Sequence, residues 1–368
     1  MANRADHLPP WFFVVWLMQL AMVMLVGLIA ALAIARYGLP LWYARTMRRG
    51  GAAELGFHVR GEDAPLIRDL HHAAYLGARA RLLRPRGSWV SVCEKGVPSV
   101  RPVMIEGAAF AHASLSGPGV GALRWPMDMG LRQSWSWPLH FGVGMWAAAR
   151  YGRNFEEVLR LAQSTDPWYR YLCLDGYGYK FGLLDFLRQP GVVTHFAAVP
   201  GYYRRAVFQG LGRALYLVYL NDRRGLIEMV GDVAPEHDED IVEGVAFSAA
   251  YMHIAQPGRV VELARAVPYE WRSHVHLGIV LGLRVRQMID PAYLNECLSK
   301  LPKAGMEAIV AALVICDELE TRVRADHPVS GYGLWRELIA RRLEREQIME
   351  PIYRETTEGR AGNRGLVM

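Results

Sequence analysis

Apolar positions recur mostly at three- and four-residue spacing along the chain. This predicts helices over Ala64 to Leu83, Phe155 to Ala162, Ala206 to Leu220, Asp240 to His253, Arg259 to Ala266, Val275 to Met288, Met306 to Arg324 and Leu334 to Ile348. Period-two alternation is sparse, and Ser88 to Val92 (SWVSV) is the best candidate for a strand. Pro138, Pro190, Pro200, Pro268 and Pro302, several of them near glycine, mark the breaks between helices. The pattern points to an all-α fold.

One stretch departs from amphipathic spacing altogether. Trp11 to Ala35 reads WFFVVWLMQLAMVMLVGLIAALAIA, 25 residues without a charge, about 37 Å as a helix at about 1.5 Å per residue. That length predicts a single transmembrane helix over 11–35. Arg36, Arg45, Arg48 and Arg49 follow it, whereas only Arg4 and Asp6 precede it. The positive-inside rule then leaves residues 1–10 outside and the body in the cytoplasm, at the inner membrane. Residues 36–55 form a basic linker, with Arg48 to Ala53 (RRGGAA) as its hinge.

The body repeats itself. Glu106-Gly107-Ala108-Ala109-Phe110 returns as Glu243-Gly244-Val245-Ala246-Phe247, and His140-Phe141-Gly142 as His276-Leu277-Gly278. Arg150 and Arg286 fall in step, and Leu76-Gly77 can be laid on Leu211-Gly212. These landmarks predict an internal duplication at an offset of about 136 residues, His140 to His276. The expected units are 56–201 and 202–330, followed by a C-terminal helix and polar tail over 331–368.

Composition adds exclusions. The formal charge of +6 comes with no basic stripe interleaved with aromatics, which argues against nucleic acid. Cys93, Cys173, Cys297 and Cys316 lie far apart, without the spacing of a disulfide framework or a zinc site. Glu-x-x-His spacing is missing, and neither His71-His72 nor His274-Val275-His276 suits a metal on a helix. No cofactor or metal is expected.

Several motifs occur in a set order: Gly56-Phe57-His58, EGAAFA from Glu106, HFGVGMWAAAR from His140, DPWYRYLCLDGYGYK from Asp166, QGLGRALYLV from Gln209 and APEHDEDIVEGVAFS from Ala234. In this order the chain resembles the UnbL-like family of unknown function, encoded beside enediyne polyketide biosynthesis genes. The resemblance covers roughly residues 56–286. It implies a role in enediyne-type or related specialised metabolism and carries no catalytic residue across. Where the family continues its Gly-Tyr-Gly stretch with Phe-His, this chain has Tyr179-Lys180.

Two sets of residues are candidates for chemistry. Asp175, Tyr177, Tyr179 and Lys180 bring an acid, two phenols and an amine together around Gly176 and Gly178, a mixture suited to acid–base work or to a polar helix junction. No counterpart of this segment is evident in the second unit. Glu106, His140, Arg213, Glu243 and His276 are the candidate binding set. The duplication could bring Glu106, Glu243, His140 and His276 together, or they serve the helix junctions, while Arg213 ends a Gly210-Leu211-Gly212 stretch that suits close helix packing better than a phosphate loop. Asp175 is the expected partner of Arg213. Two functions fit. One is an accessory protein, docked to the bilayer through residues 11–35, that holds a partner biosynthetic enzyme or a lipophilic small molecule. The other is a membrane-tethered enzyme acting on a polyene-like substrate.

Overall fold

A computed structural model describes residues 22, 24, 64–84, 88–116, 131–186, 191–220, 222–328 and 331–352. The described residues form helices and no strand: α1 (Ala64–Leu83), α2 (Ser88–Glu94), α3 (Arg101–Ser116), α4 (Ser136–Tyr151), α5 (Phe155–Gln163), α6 (Arg170–Leu184), α7 (Val192–Ala197) and α8 (Gly201–Val218). They continue as α9 (Arg223–Val233), α10 (Asp238–Met252), α11 (Pro257–Ala266), α12 (Arg272–Ile289), α13 (Pro291–Leu298), α14 (Lys303–Asp326) and α15 (Gly331–Arg345). The SWVSV run is helical, because Trp89 and Cys93, four apart, are the fully buried pair and α2 packs on α1 and α3. The expected transmembrane segment, 11–35, lies outside the described residues apart from Met22 and Met24, both helical and exposed. Among the described residues no helix is long and apolar enough to cross a membrane.

The repeat is finer than the sequence landmarks suggest. A glycine recurs every 34 residues, at Gly142, Gly176, Gly210, Gly244 and Gly278. Long helices start in the same register at Ser136, Arg170, Asp238 and Arg272, with α8 beginning three residues early. The 136-residue offset is therefore four successive steps of one helix pair. The step across residues 201–202 packs like the steps on either side of it. Asp175-Gly176-Tyr177-Gly178-Tyr179 has counterparts after all, in Gln209-Gly210-Leu211-Gly212-Arg213 and Glu243-Gly244-Val245-Ala246-Phe247.

The glycines explain how consecutive long helices approach. A Cβ on Gly178 would fall on the carbonyl oxygen of Val207, three residues before Gly210. A Cβ on Gly210 would fall on that of Asp175, three before Gly178. The same reciprocal contact joins α4 to α6 (Gly144 and Gly176), α8 to α10 (Gly212 and Gly244) and α1 to α3 (Gly77 and Gly107). Any side chain at these positions would force two backbones apart.

The stack curls until its ends meet. Glu106 of α3 bonds Tyr251 of α10, and Arg101 pairs with Asp290, just past α12, at 2.6 Å. Arg286 of α12 donates to the carbonyls of Ser99 and Pro98 before α3. The C-terminal helix α15 crosses one mouth of the coil, with Tyr332 and Trp335 packed on Trp137, Trp168 and Tyr171. Those partners lie at the starts of α4 and α6, while residues further along α4, α6, α8 and α10 converge with α1 at the opposite side.

Candidate functional site

Helix periodicity sends i, i+4 and i+8 inward from each long helix. From α4, α6, α8 and α10 this gives Phe141, Asp175, Gln209 and Glu243, then Met145, Tyr179, Arg213 and Phe247, then Ala149, Leu183, Leu217 and Tyr251. The interior is thus layered, with an ionic level next to α15 and an apolar chamber under α1.

The ionic level is built around two ion pairs. Arg213 Nη1 donates to Asp175 Oδ2 at 2.6 Å, the pairing expected from sequence, and its guanidinium is stacked between Phe141 and Phe247, 3.8 and 4.2 Å from their centroids. Arg336 of α15 reaches across to Glu243, which also accepts from Gln209 Nε2 at 3.2 Å. Both carboxylates are buried, and pairing each with an arginine offsets the cost of removing it from water. Burial raises the Asp175 pKa above its ordinary value, opposed by Arg213. Asp175 Oδ1, Glu243 Oε2, Tyr202 Oη and Arg336 Nε and Nη1 lack partners among the described residues, which makes this level a place for internal water.

Beside it lies a chamber of about 50 Å³, large enough for a few waters or the end of an apolar chain. Ile67, Leu70 and Ala74 from α1, Val103 from α3, Met145, Leu183, Leu217 and Met252 make most of its wall. Polar groups enter at His71, Glu106, Tyr179, Arg213, Ser248 and Tyr251. Glu106 Oε1 accepts from the Tyr251 hydroxyl at 2.7 Å, and Arg213 Nη2 stands 4.0 Å away. Protein surrounds Glu106 on every side, yet its side chain keeps 10% exposure, which is its face on the chamber. Burial pushes its pKa up to about 7, against the lowering pull of Arg213 and Tyr251. Tyr179 also lines the chamber, within electrostatic reach of Glu106, and its hydroxyl makes no hydrogen bond among the described residues.

The two candidate sets divide differently from the sequence expectation. Asp175 and Tyr179, four apart, face inward; Tyr177 and Lys180 do not. Tyr177 donates to the Gly152 carbonyl at 3.0 Å and touches His195 Nε2 at 2.7 Å, while Lys180 is paired with Asp185 at 2.5 Å. A helix turns residues two or five apart onto other faces, so the four-residue cluster cannot act together. Of the binding set, Glu106 and Arg213 line the chamber, Glu243 belongs to the ionic level, and the histidines belong to neither. His140 is buried with Nδ1 2.6 Å from its own helix's Ser136 carbonyl, and burial lowers its pKa. Burial also lowers His276, to about 4. Among the described residues no group of three His, Cys, Asp or Glu is placed to hold a metal.

Sequence reasoning missed Tyr251, Arg336 and the α1 wall. Tyr251 was within reach, since it stands 34 residues after Leu217 and eight after Glu243 on the same inward stripe. Arg336 comes from a helix outside the repeat and leaves no periodic signal.

The architecture defines a class: a curled stack of 34-residue helix pairs with an ionic level and a largely apolar chamber within the coil. The chain belongs to the DUF1702 family, a protein family of unknown function whose profile matches residues 94–343. No curated protein matches the chain, and no solved structure does.

Proposed function

We propose that this protein is a membrane-anchored accessory protein that binds the end of a lipophilic intermediate in its chamber and presents it to a partner enzyme at the membrane surface. The observation that carries this reading is the chamber itself, to which six helices contribute a largely apolar wall interrupted by six polar residues. The uncharged run from Trp11 to Ala35 supports the anchor, and the arginines after it support a cytoplasmic body. The resemblance of the ordered motifs to the UnbL-like family supports a polyketide intermediate of the enediyne or polyene type. Deleting residues 1–35 should release the body from the membrane fraction, and an alkaline phosphatase fused after Gly50 should be inactive.

The test of the chamber is saturable binding of a fluorescent conjugated tetraene fatty acid by the full chain in detergent. Leu217→Trp, which fills the chamber from α8, should abolish it while the helical circular dichroism signal persists. Equal binding by this variant contradicts the reading. A second reading, an enzyme using the same chamber, is favoured by one observation: an acid, Glu106, and a phenol, Tyr179, both line the chamber.

A further inference from the structure

Among the described residues, several buried polar groups are engaged in structural pairs. Asp175 is spent on Arg213, Glu243 on Arg336 and Gln209, Lys180 on Asp185, and Tyr177 on the Gly152 carbonyl. Asp175 and Glu243 each keep one oxygen without a partner among the described residues, but neither borders the chamber; Glu106 and Tyr179 do. Tyr251 fixes one Glu106 oxygen at 2.7 Å, and Arg213, the nearest cation, is already committed to Asp175. The carboxyl is held in orientation by Tyr251, its pair with Arg213 is long at 4.0 Å, and it borders a largely apolar space. Tyr179 lies on the same wall, and its phenol makes no hydrogen bond among the described residues.

A base in an apolar chamber beside a free hydrogen-bond donor suits removal of a proton from carbon next to a carbonyl. The base takes the proton and the donor holds the oxyanion. We propose that Glu106 and Tyr179 catalyse migration of a double bond in a lipophilic β,γ-unsaturated carbonyl compound; this rests on the chamber being the ligand site. Glu106 carboxylate removes the proton from the carbon between carbonyl and alkene. The C–H electron pair moves to form a dienolate, whose oxygen accepts from the Tyr179 hydroxyl. Glu106, now protonated, returns the proton to the γ carbon, giving the conjugated α,β-unsaturated carbonyl and restoring the carboxylate. The step is redox-neutral and needs no co-reactant. A carboxyl poised near neutrality is matched to both halves of the transfer.

The experiment uses the full chain in detergent and a medium-chain β,γ-unsaturated methyl ketone in deuterated buffer. Equilibrium dialysis reads binding, ultraviolet absorbance reads the conjugated product, and mass spectrometry reads deuterium at the α and γ carbons. Wild type should bind the ketone, conjugate it and incorporate deuterium, with a rate that rises with pH through about 7. Glu106→Gln, which still accepts from Tyr251, should bind equally and lose about 10²-fold or more in rate. Tyr179→Phe should lose a comparable factor without shifting the pH profile. Binding by wild type with no conjugation or exchange overturns the catalytic assignment and leaves the chamber reading standing. Absence of binding overturns both.

Discussion

Glu106 and Glu243 both precede a glycine at which a neighbouring helix backbone makes close contact, and the two have opposite fates. Glu243 is fully buried and sealed by Arg336, which α15 delivers from outside the repeat. Glu106 takes its short bond from a tyrosine hydroxyl at 2.7 Å, with the Arg213 guanidinium at 4.0 Å and shared with Asp175, and it keeps a face on the chamber. Repetition dictates how the helices approach one another; partners from elsewhere in the chain decide whether a repeated carboxylate holds the fold or remains free for chemistry.

The comparison breaks most sharply at Arg336. Arg336→Met should leave Glu243 buried without its cation and cost about 3–5 kcal/mol in urea unfolding. Adding Glu243→Gln should recover much of that loss, and a loss unchanged in the double variant would mean that the pair is not the reason.

Glu106→Gln should act in the opposite direction. Folding raises the Glu106 pKa from 4.5 to about 7, so between those values the folded state keeps a proton that the unfolded chain has released. Wild-type stability from this group falls as pH rises through the window, by about 3 kcal/mol in all, and then levels off. The glutamine variant lacks that loss. It should be more stable than wild type by about this amount above pH 7, with the gain shrinking as pH falls toward 4.5. A variant destabilised at every pH would assign Glu106 the same structural role as Glu243.

The backbone contact common to both regions gives smaller effects. Gly210→Ala drives a methyl onto the Asp175 carbonyl and should cost about 1–3 kcal/mol net, despite the better helix propensity of alanine. Gly258→Ala in α11 meets nothing within 4 Å and should be neutral or gain up to about 1 kcal/mol. Equal effects at the two sites would remove the close-packing account of the repeat.

Much of this fold was legible in the sequence. The first helix was placed with its ends, Ala64 and Leu83, because apolar spacing continues to a basic break at Arg84. SWVSV misled because alternation over five residues cannot be told from one helical turn with a buried face. The shorter period hid inside the 136-residue landmarks because the second glycine of each pair gives way to Ala246 and Val280. At the site, Glu106 and Arg213 were named from sequence as binding candidates and Tyr179 as a catalytic one, because each adjoins a glycine motif, but nothing placed the three on one wall. Tyr251 meets Glu106 only because the stack closes across 145 residues, and no local spacing encodes that closure.

The most direct test of the contrast is an infrared titration of the folded full chain, comparing wild type with Glu106→Gln. A protonated-carboxyl band that is absent from Glu106→Gln should disappear on titration through about 7 and change in frequency when the unsaturated ketone binds. Loss of that band in the ordinary carboxylate range near 4.5, or its persistence in Glu106→Gln, would contradict the claim that Glu106 is the chamber's poised acid.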